Sequence, residues 1–206
     1  MLTKLTTLCY LEHEGKYLML HRVKKKEDVN KGKWIGVGGK FEPGESPEEC
    51  LIREVREETG FKLTGFRFRG LISFIYADKE PEYIFTYTSS EFENAAVKSD
   101  WQNTKAVLNL SCTTADKTHE TNANASAAQI KSEAEVLTVP ECDEGVFAWV
   151  DKDRILIDLE LWEGDRYMLN YLLKDRQEAF SLKLCYDAQD NLIEAWEMSA
   201  HPVRLK

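Results

Sequence analysis

The sequence predicts an α/β protein in which a mixed β-sheet lies between helices, an α/β/α sandwich. Strand-type runs of apolar and β-branched residues recur along the chain, and two amphipathic segments with helical spacing interrupt them. With 43% hydrophobic residues among 206, the chain can bury one substantial core. A single domain over residues 1–206, with one helix against each face of its sheet, would bury all the apolar faces.

Strand-type runs follow one another from the first residues onward. The first two are predicted to form a hairpin, because a polar turn at His13, Glu14 and Gly15 joins them. A loop over residues 24–33 is rich in lysine and is not expected to form a strand. The predicted strands cover residues 5–11, 17–21, 34–37, 66–76, 83–88 and 145–150, and a final hairpin covers residues 180–198 with its turn at 188–191.

One predicted helix begins after Ser46, which is a favourable N-cap residue. Pro47 suits the first helical position, and Glu49 stands three residues after the cap, as a capping box requires. Gly60 ends the helix, where a left-handed conformation is favoured. A second amphipathic helix is predicted over residues 165–174.

The first helix carries a group of charged residues on one face. Glu54, Glu57 and Glu58 are three or four residues apart, so their carboxylates can converge on one point. Arg53 lies four residues before Glu57 and can orient it through a bidentate pair, and Glu45 can reach back to the same group.

Clustered carboxylates repel one another and take up protons unless a cation compensates them. Oxygen ligands alone favour Mg²⁺, with Mn²⁺ also suitable, over Zn²⁺. The implied reaction is metal-assisted attack of water on a diphosphate. The alternative is a solvated, charged helix stabilised by Glu–Arg pairs.

Residues 39–61 read GKFEPGESPEECLIREVREETGF and resemble the Nudix box, Gly-x5-Glu-x7-Arg-Glu-U-x-Glu-Glu-x-Gly-U, at every fixed position. Gly39, Glu45 and Gly60 occupy fixed positions of this motif. The flanking stretches GKWIGVGGK, ECDEGVFAWV and LWEGDRYM are similar to the MutT-like 8-oxo-dGTP diphosphatases of Gram-positive bacteria. The resemblance covers residues 2–93 and 141–198, and it implies the Nudix fold.

The resemblance also implies roles for individual residues. Glu54, Glu57 or Glu144 would act as general base or hold the attacking water, and the sequence leaves this choice open. Arg53 would support these catalytic acids. Basic contacts to the phosphates would come from Arg22 and Lys40. The implied metal ligands are Glu54, Glu57, Glu58, Glu144 and the backbone carbonyl of Gly38.

For the nucleobase, the resemblance assigns Trp162 to stacking and Asp165 to hydrogen bonding with the base edge. Phe74 would form the opposite wall. Two positions depart from the mammalian oxidised purine nucleotide hydrolase, because Ile35 replaces an asparagine that reads the base and Gly164 replaces an aspartate.

The implied activity is magnesium-dependent hydrolysis of 8-oxo-dGTP to 8-oxo-dGMP and pyrophosphate, a nucleotide pool sanitation reaction linked to DNA repair. A Nudix enzyme could instead act on a nucleotide sugar, a dinucleoside polyphosphate or an RNA 5′ end. A ligand sensor without turnover is a third alternative, although none of the box acids is missing.

A net charge of −9 argues against broad binding to nucleic acid or anionic membranes. The five scattered cysteines have no metal-ligand spacing and suggest reduced thiols. Without a signal-length or membrane-length apolar run, we expect a cytoplasmic protein, monomeric or homodimeric.

Residues 94–139 differ in composition from the rest of the chain. They are rich in Ala, Thr, Asn and Ser, contain no Gly and lack a sustained strand period. We expect a flexible, low-complexity insertion with a helical turn over residues 125–135. A lid or oligomerisation arm anchored by Trp101 and residues 107–110 is the alternative.

Overall fold

The computed structural model describes residues 3–94, 137, 139 and 141–206. Regular elements occupy most of this part of the chain. The strands are β1 (Lys4–His13), β2 (Lys16–His21), β3 (Trp34–Ile35), β4 (Phe61–Tyr76), β5 (Glu82–Asn94), β6 (Val146–Asp151), β7 (Phe180–Tyr186), β8 (Leu192–Glu197) and β9 (Val203–Arg204). The helices are α1 (Pro47–Thr59), α2 (Ile155–Asp158) and α3 (Glu163–Leu173).

The strands form a mixed sheet in the order β3-β2-β1-β5-β4-β7-β8-β9, and β6 pairs with β2. Strand β1 runs parallel to β5, and β4 runs parallel to β7. The other pairings are antiparallel, including the predicted β1–β2 and β7–β8 hairpins. Two isolated bridges connect β1 to the chain after β3, Cys9 with Val37 and Thr6 with Lys40, and they hold the glycine-rich loop beside the sheet.

Two apolar clusters lie on opposite sides of the sheet. Leu51 and Val55 of α1 are fully buried in one cluster. Met168 and Leu169 of α3 are fully buried in the other. Each such side chain contributes about 1.5–3 kcal/mol through burial. The two helical layers confirm the predicted sandwich, and α1 is thereby fixed against β1 and β4.

Several predicted boundaries were wrong. β4 begins at Phe61 rather than at residue 66, because Phe61 and Leu63 are buried beneath α1. Register shifts around Gly65 hide the strand period there. The strand predicted over residues 34–37 has only two paired residues in β3. Helix α3 begins at Glu163 rather than at residue 165, and α2 and β9 were not predicted.

Most of the predicted insertion, residues 94–139, lies outside the described residues. The helical turn at 125–135, Trp101 and residues 107–110 all belong to that part. Val139 is buried in the apolar cluster that contains Leu51 and Val55 of α1 (the α1-side cluster), and Leu137 packs against this cluster. None of the helices in the described part of the chain has the length and hydrophobicity needed to cross a bilayer.

The capping box that starts α1 provides a test of the helix. The Ser46 hydroxyl accepts a hydrogen bond from the Glu49 backbone N–H at 3.2 Å, and the Glu49 carboxylate accepts one from the Ser46 N–H at 2.8 Å. Ser46→Ala should lower the free energy of unfolding by about 1 kcal/mol, because it removes one of these bonds. Urea denaturation measures this loss. The exposed Ser90→Ala is the matched control, and equal stability of the two variants would contradict the capping role.

Candidate active site

A glycine-rich loop lies between β1 and α1. The Thr7 backbone N–H donates to the Gly39 carbonyl at 2.9 Å. A Cβ atom on Gly38 would lie 2.1 Å from the Thr7 carbonyl oxygen, and one on Gly39 would lie 2.2 Å from a Glu54 carboxylate oxygen. The absence of side chains at both positions therefore lets the acidic face of α1 approach the loop backbone.

Arg53 is the centre of the charged group on α1. Its Nε and Nη2 donate to the two carboxylate oxygens of Glu45 at 2.7 and 2.9 Å. Its Nη1 donates to Glu54 at 2.9 Å and to Glu57 at 3.1 Å. Nη2 also donates to the Lys40 carbonyl at 3.0 Å. One guanidinium thus holds three carboxylates and the end of the glycine-rich loop.

The bidentate partner of Arg53 is Glu45, so the expected bidentate pair with Glu57 was wrong. Glu57 lies one turn along the same helix and receives one bond, whereas Glu45 approaches from the preceding loop and aligns with the planar fork. The Arg53 guanidinium lowers the pKa of Glu45 to about 2. The same carboxylates raise the pKa of Arg53 further above its ordinary value.

Glu58 lies one helical turn after Glu54 on α1 and is largely withdrawn from solvent. Burial, with a smaller contribution from the negative charge of Glu54, raises the pKa of Glu58 to about 7. The Gly38 N–H donates to Glu58 at 3.2 Å and opposes this shift, as do the charges of Arg22 and Lys25. Glu58 is therefore a desolvated carboxylate without a direct cationic partner among the described residues.

Glu144 precedes β6 and accepts hydrogen bonds from Arg22 and Lys25. Arg22 also donates through Nε to Asp28 at 2.7 Å, and its side chain is only 11% exposed. Glu144 is therefore held near Glu58 by cations that influence both carboxylates. Sequence reasoning missed Lys25 and Asp28, because their irregular loop lacks a period that could assign each side chain to a face.

An aromatic cluster lies at the start of α3. Trp162 is buried and its Nε1 donates to Asn30 at 2.9 Å. The Trp162 ring contacts Tyr186 edge-on at 5.2 Å between centroids, and Phe74 contacts the same tyrosine at 5.3 Å. The Lys33 ammonium lies 5.6 Å from the centroid of the Trp162 ring. The structure therefore brings Trp162 and Phe74 together through Tyr186, a residue that the sequence did not indicate.

Asp165 lies beside this cluster. Burial raises the pKa of Asp165 to about 7, and the positive charge of Lys33 opposes the rise. Burial raises the pKa values of Tyr10 and Tyr186, and the charge of Asp165 adds to both shifts. Tyr10 is fully buried, and the described residues provide no hydrogen-bond partner for its hydroxyl. The Asp165 carboxyl and the Tyr10 hydroxyl are therefore polar groups beside the aromatic rings.

One of the predicted substrate contacts, Ile35, lies away from the aromatic cluster, and Lys40 lies on the loop beside the acids. Ile35 packs against the α1-side cluster, whereas Trp162 belongs to the cluster on the opposite side of the sheet. The Lys40 side chain is exposed, and its backbone carbonyl is what binds Arg53.

The sequence matches the Nudix domain family over residues 3–130, more than half of the chain. The chain belongs to the Nudix family. An uncharacterised Nudix hydrolase, YvcI of Bacillus subtilis, is 31% identical over 114 residues, which cover 50% of this chain and 68% of YvcI. The oxidized purine nucleoside triphosphate hydrolase of Danio rerio is 30% identical over 99 residues, which cover 48% of this chain and 62% of that enzyme, less than two thirds.

A solved structure supports the same fold. A MutT protein from Bacillus halodurans superimposes with a TM-score of 0.65 at 20% sequence identity, over 93% of this chain and 95% of that one. The mixed sheet and its two helical layers are therefore those of a Nudix hydrolase.

Nudix hydrolases generally use divalent cations, and the donor set here fits one. Within residues 3–94 and 141–206, no three acidic, imidazole or thiol groups already converge closely enough to form a metal centre. Glu54 and Glu57 instead bind Arg53. The fit rests on chemistry: the donors are oxygens, and Glu58 is desolvated beside the charge of Glu54. Arg53 binds one carboxylate oxygen each of Glu54 and Glu57, so the second oxygen of each could bind a cation.

The Glu58 environment predicts the response of the protein to Mg²⁺. Without Mg²⁺, Glu58→Gln should stabilise the folded protein, because it removes a desolvated charge. The unfolding temperature should rise by about 2–4 °C for each kcal/mol gained in the free energy of unfolding. Saturating Mg²⁺ should stabilise the wild type, and this gain should be smaller in the variant. Differential scanning calorimetry measures both effects. Exposed Glu93→Gln is the control, and an equal Mg²⁺ response in all three proteins would reject Glu58 as a ligand.

Asp165 predicts a pH dependence of stability in this Nudix domain. Its pKa is about 7 in the folded protein and about 3.9 when unfolded, so the folded state retains a proton between these values. The free energy of unfolding should therefore fall from pH 4 to pH 7 and then level off. Each unit by which the folded pKa exceeds the unfolded pKa corresponds to about 1.4 kcal/mol of unfolding free energy. Asp165→Asn removes this contribution, so the fall between pH 4 and pH 7 should be smaller by up to a few kcal/mol.

Urea titrations from pH 4 to pH 8 measure this difference between the wild type and Asp165→Asn. The exposed Asp78→Asn serves as control and should keep the wild-type pH profile. Parallel profiles for the wild type and Asp165→Asn would show that Asp165 titrates normally.

Proposed function

We propose that this Nudix hydrolase hydrolyses a nucleoside triphosphate to the monophosphate and pyrophosphate with Mg²⁺ or Mn²⁺, and that 8-oxo-dGTP is its preferred substrate. The observation that carries the proposal is the arrangement of Glu45, Glu54 and Glu57 around Arg53 beside the glycine-rich loop, where Glu58 binds the Gly38 N–H. The similarity to the oxidized purine nucleoside triphosphate hydrolase of Danio rerio supports the substrate class.

The acids near the loop supply the hydrolytic machinery in this proposal. Glu54, Glu57, Glu58 and the Gly38 carbonyl would hold the metal, with Glu144 joining from outside the helix. Bound divalent cations would neutralise phosphate oxygens and lower the pKa of water. One of Glu54, Glu57 and Glu144 accepts the proton of the attacking water. Arg53 keeps Glu54 and Glu57 in place through its hydrogen bonds.

Two cationic side chains, Arg22 and Lys25, lie near these acids and could bind the phosphates. Arg22 and Lys25 both bind Glu144. Both side chains could also donate to the negatively charged phosphate oxygens of a nucleotide bound beside these acids. The exposed Lys40 side chain can reach the same charge from the loop.

The aromatic cluster would receive the nucleobase. Trp162 and Phe74 both contact Tyr186, and the charge of Asp165 acts on the same tyrosine. The hydrogen bond from Trp162 to Asn30 fixes the indole plane. Because the Lys33 ammonium lies over this ring, stacking of a base on Trp162 would require the lysine to shift towards the base edge.

A second candidate is a Nudix pyrophosphohydrolase that acts on another nucleotide derivative. Ile35 belongs to the opposite core cluster and replaces an asparagine that reads the base in the mammalian relatives. Half of that recognition set is therefore absent, and this departure favours a broader or different choice of base.

Pyrophosphate release with Mg²⁺ tests the proposed function. We expect a kcat/KM for 8-oxo-dGTP at least tenfold above that for dGTP, 2-hydroxy-dATP or ADP-ribose. Glu57→Gln is the blank and should lose at least a hundredfold in kcat while unfolding at the same urea concentration, because Glu57 is exposed. AMP release from ADP-ribose alone would replace the substrate assignment. Turnover of no substrate by the wild type would contradict the hydrolase proposal.

A further inference from the structure

Lys33 lies at the edge of the aromatic cluster. Its Nζ donates to the Glu160 carboxylate at 2.8 Å, and the same ammonium lies 5.6 Å from the Trp162 ring centroid. The surrounding backbone is held as well, because the Trp34 N–H donates to the Glu160 carbonyl at 2.9 Å and Trp162 binds Asn30. These bonds connect the two chain segments that form this side of the cluster.

Lys33 and Asp165 form no ion pair with each other among the described residues. Lys33 pairs with Glu160, yet its charge still acts on Asp165. Glu160 is 72% exposed, so the pair that holds Lys33 is weak and readily exchanged with water. The ammonium, which already lies over the Trp162 ring, can therefore leave Glu160 and turn towards a group stacked on that ring, and Asp165 follows Trp162 by one turn of α3.

We propose that Lys33 is a specificity-determining residue, which together with Asp165 selects nucleobases that carry a ring carbonyl next to a ring N–H. This inference rests on the proposed function, because it assumes that the aromatic cluster receives the base. Guanine, 8-oxoguanine and hypoxanthine have such an edge, as do uracil and thymine. The Lys33 ammonium donates to the ring carbonyl, and a carboxyl oxygen of Asp165 accepts the ring N–H.

Adenine and cytosine present the opposite edge. Their amino group would meet the ammonium, which can only donate, and their ring nitrogen would meet the Asp165 carboxylate, which has no proton to donate when it is ionised. A partly desolvated site penalises such unmatched groups, and a selectivity of roughly 10²-fold or more follows from comparable recognition sites. Lys33 would thus supply the donor that Ile35 cannot, since Ile35 packs on the opposite side of the sheet.

The selectivity ratio tests this assignment. We expect wild-type kcat/KM to be at least about 100-fold higher for dGTP than for dATP, and Lys33→Met to lower this ratio at least tenfold, mainly through a higher KM for dGTP. Glu160→Gln is the matched control, because it weakens the Lys33–Glu160 pair and keeps the lysine. This variant should retain the wild-type ratio within about twofold.

Three results would overturn the assignment. An unchanged ratio in Lys33→Met would remove Lys33 from base recognition, and an equal loss on both substrates would make it a phosphate contact. An equal change of the ratio in Glu160→Gln would show that Lys33 acts only by holding the loop.

Binding of GMP and AMP, followed by tryptophan fluorescence, separates this inference from the proposed function. If the wild type turns over no triphosphate but binds GMP more tightly than AMP, and Lys33→Met loses that preference, the hydrolase proposal fails and the role of Lys33 stands. If the wild type does not discriminate between GMP and AMP, the inference fails even when triphosphates are hydrolysed.

Discussion

The hydrogen bonds of the Arg53 guanidinium hold the candidate site together. Carboxylates as close as Glu45, Glu54 and Glu57 would repel one another, and one planar cation compensates all three. The same guanidinium binds the Lys40 carbonyl, so the helix and the glycine-rich loop are fixed relative to each other. The sheet maintains this arrangement, because α1 buries Leu51 and Val55 against it.

The two halves of the site lie on different sides of the sheet framework. The acids belong to α1 and its loop, whereas the aromatic cluster belongs to the α3-side core. The chain between β2 and β3 links them, because Arg22 binds Glu144 near the acids while Asn30 binds Trp162. In our proposal, a nucleotide would follow this link, with its phosphates at the acids and its base at the rings.

The sequence predicted those features that depend on local spacing. The capping box, the end of α1 at Gly60 and the shared face of Glu54 and Glu57 require only neighbouring residues, and the structure contains each of them. The predicted convergence of Glu58 with these two carboxylates is not seen among the described residues. The choice of Glu45 as the bidentate partner depends on the path of a loop, which spacing does not determine. Asn30, Lys33 and Tyr186 were missed for the same reason, because they meet Trp162 across long sequence separations.

Mn²⁺ binding measured by electron paramagnetic resonance, in the wild type and in Arg53→Lys, tests most directly whether Arg53 organises a metal site. Both proteins carry the same charge, so only the geometry of the hydrogen bonds differs. We expect the wild type to bind Mn²⁺ and the variant to bind it about 10–100-fold more weakly, as when a residue that orients metal ligands is replaced. Equal affinities in two folded proteins, or no binding by the wild type, would contradict this account.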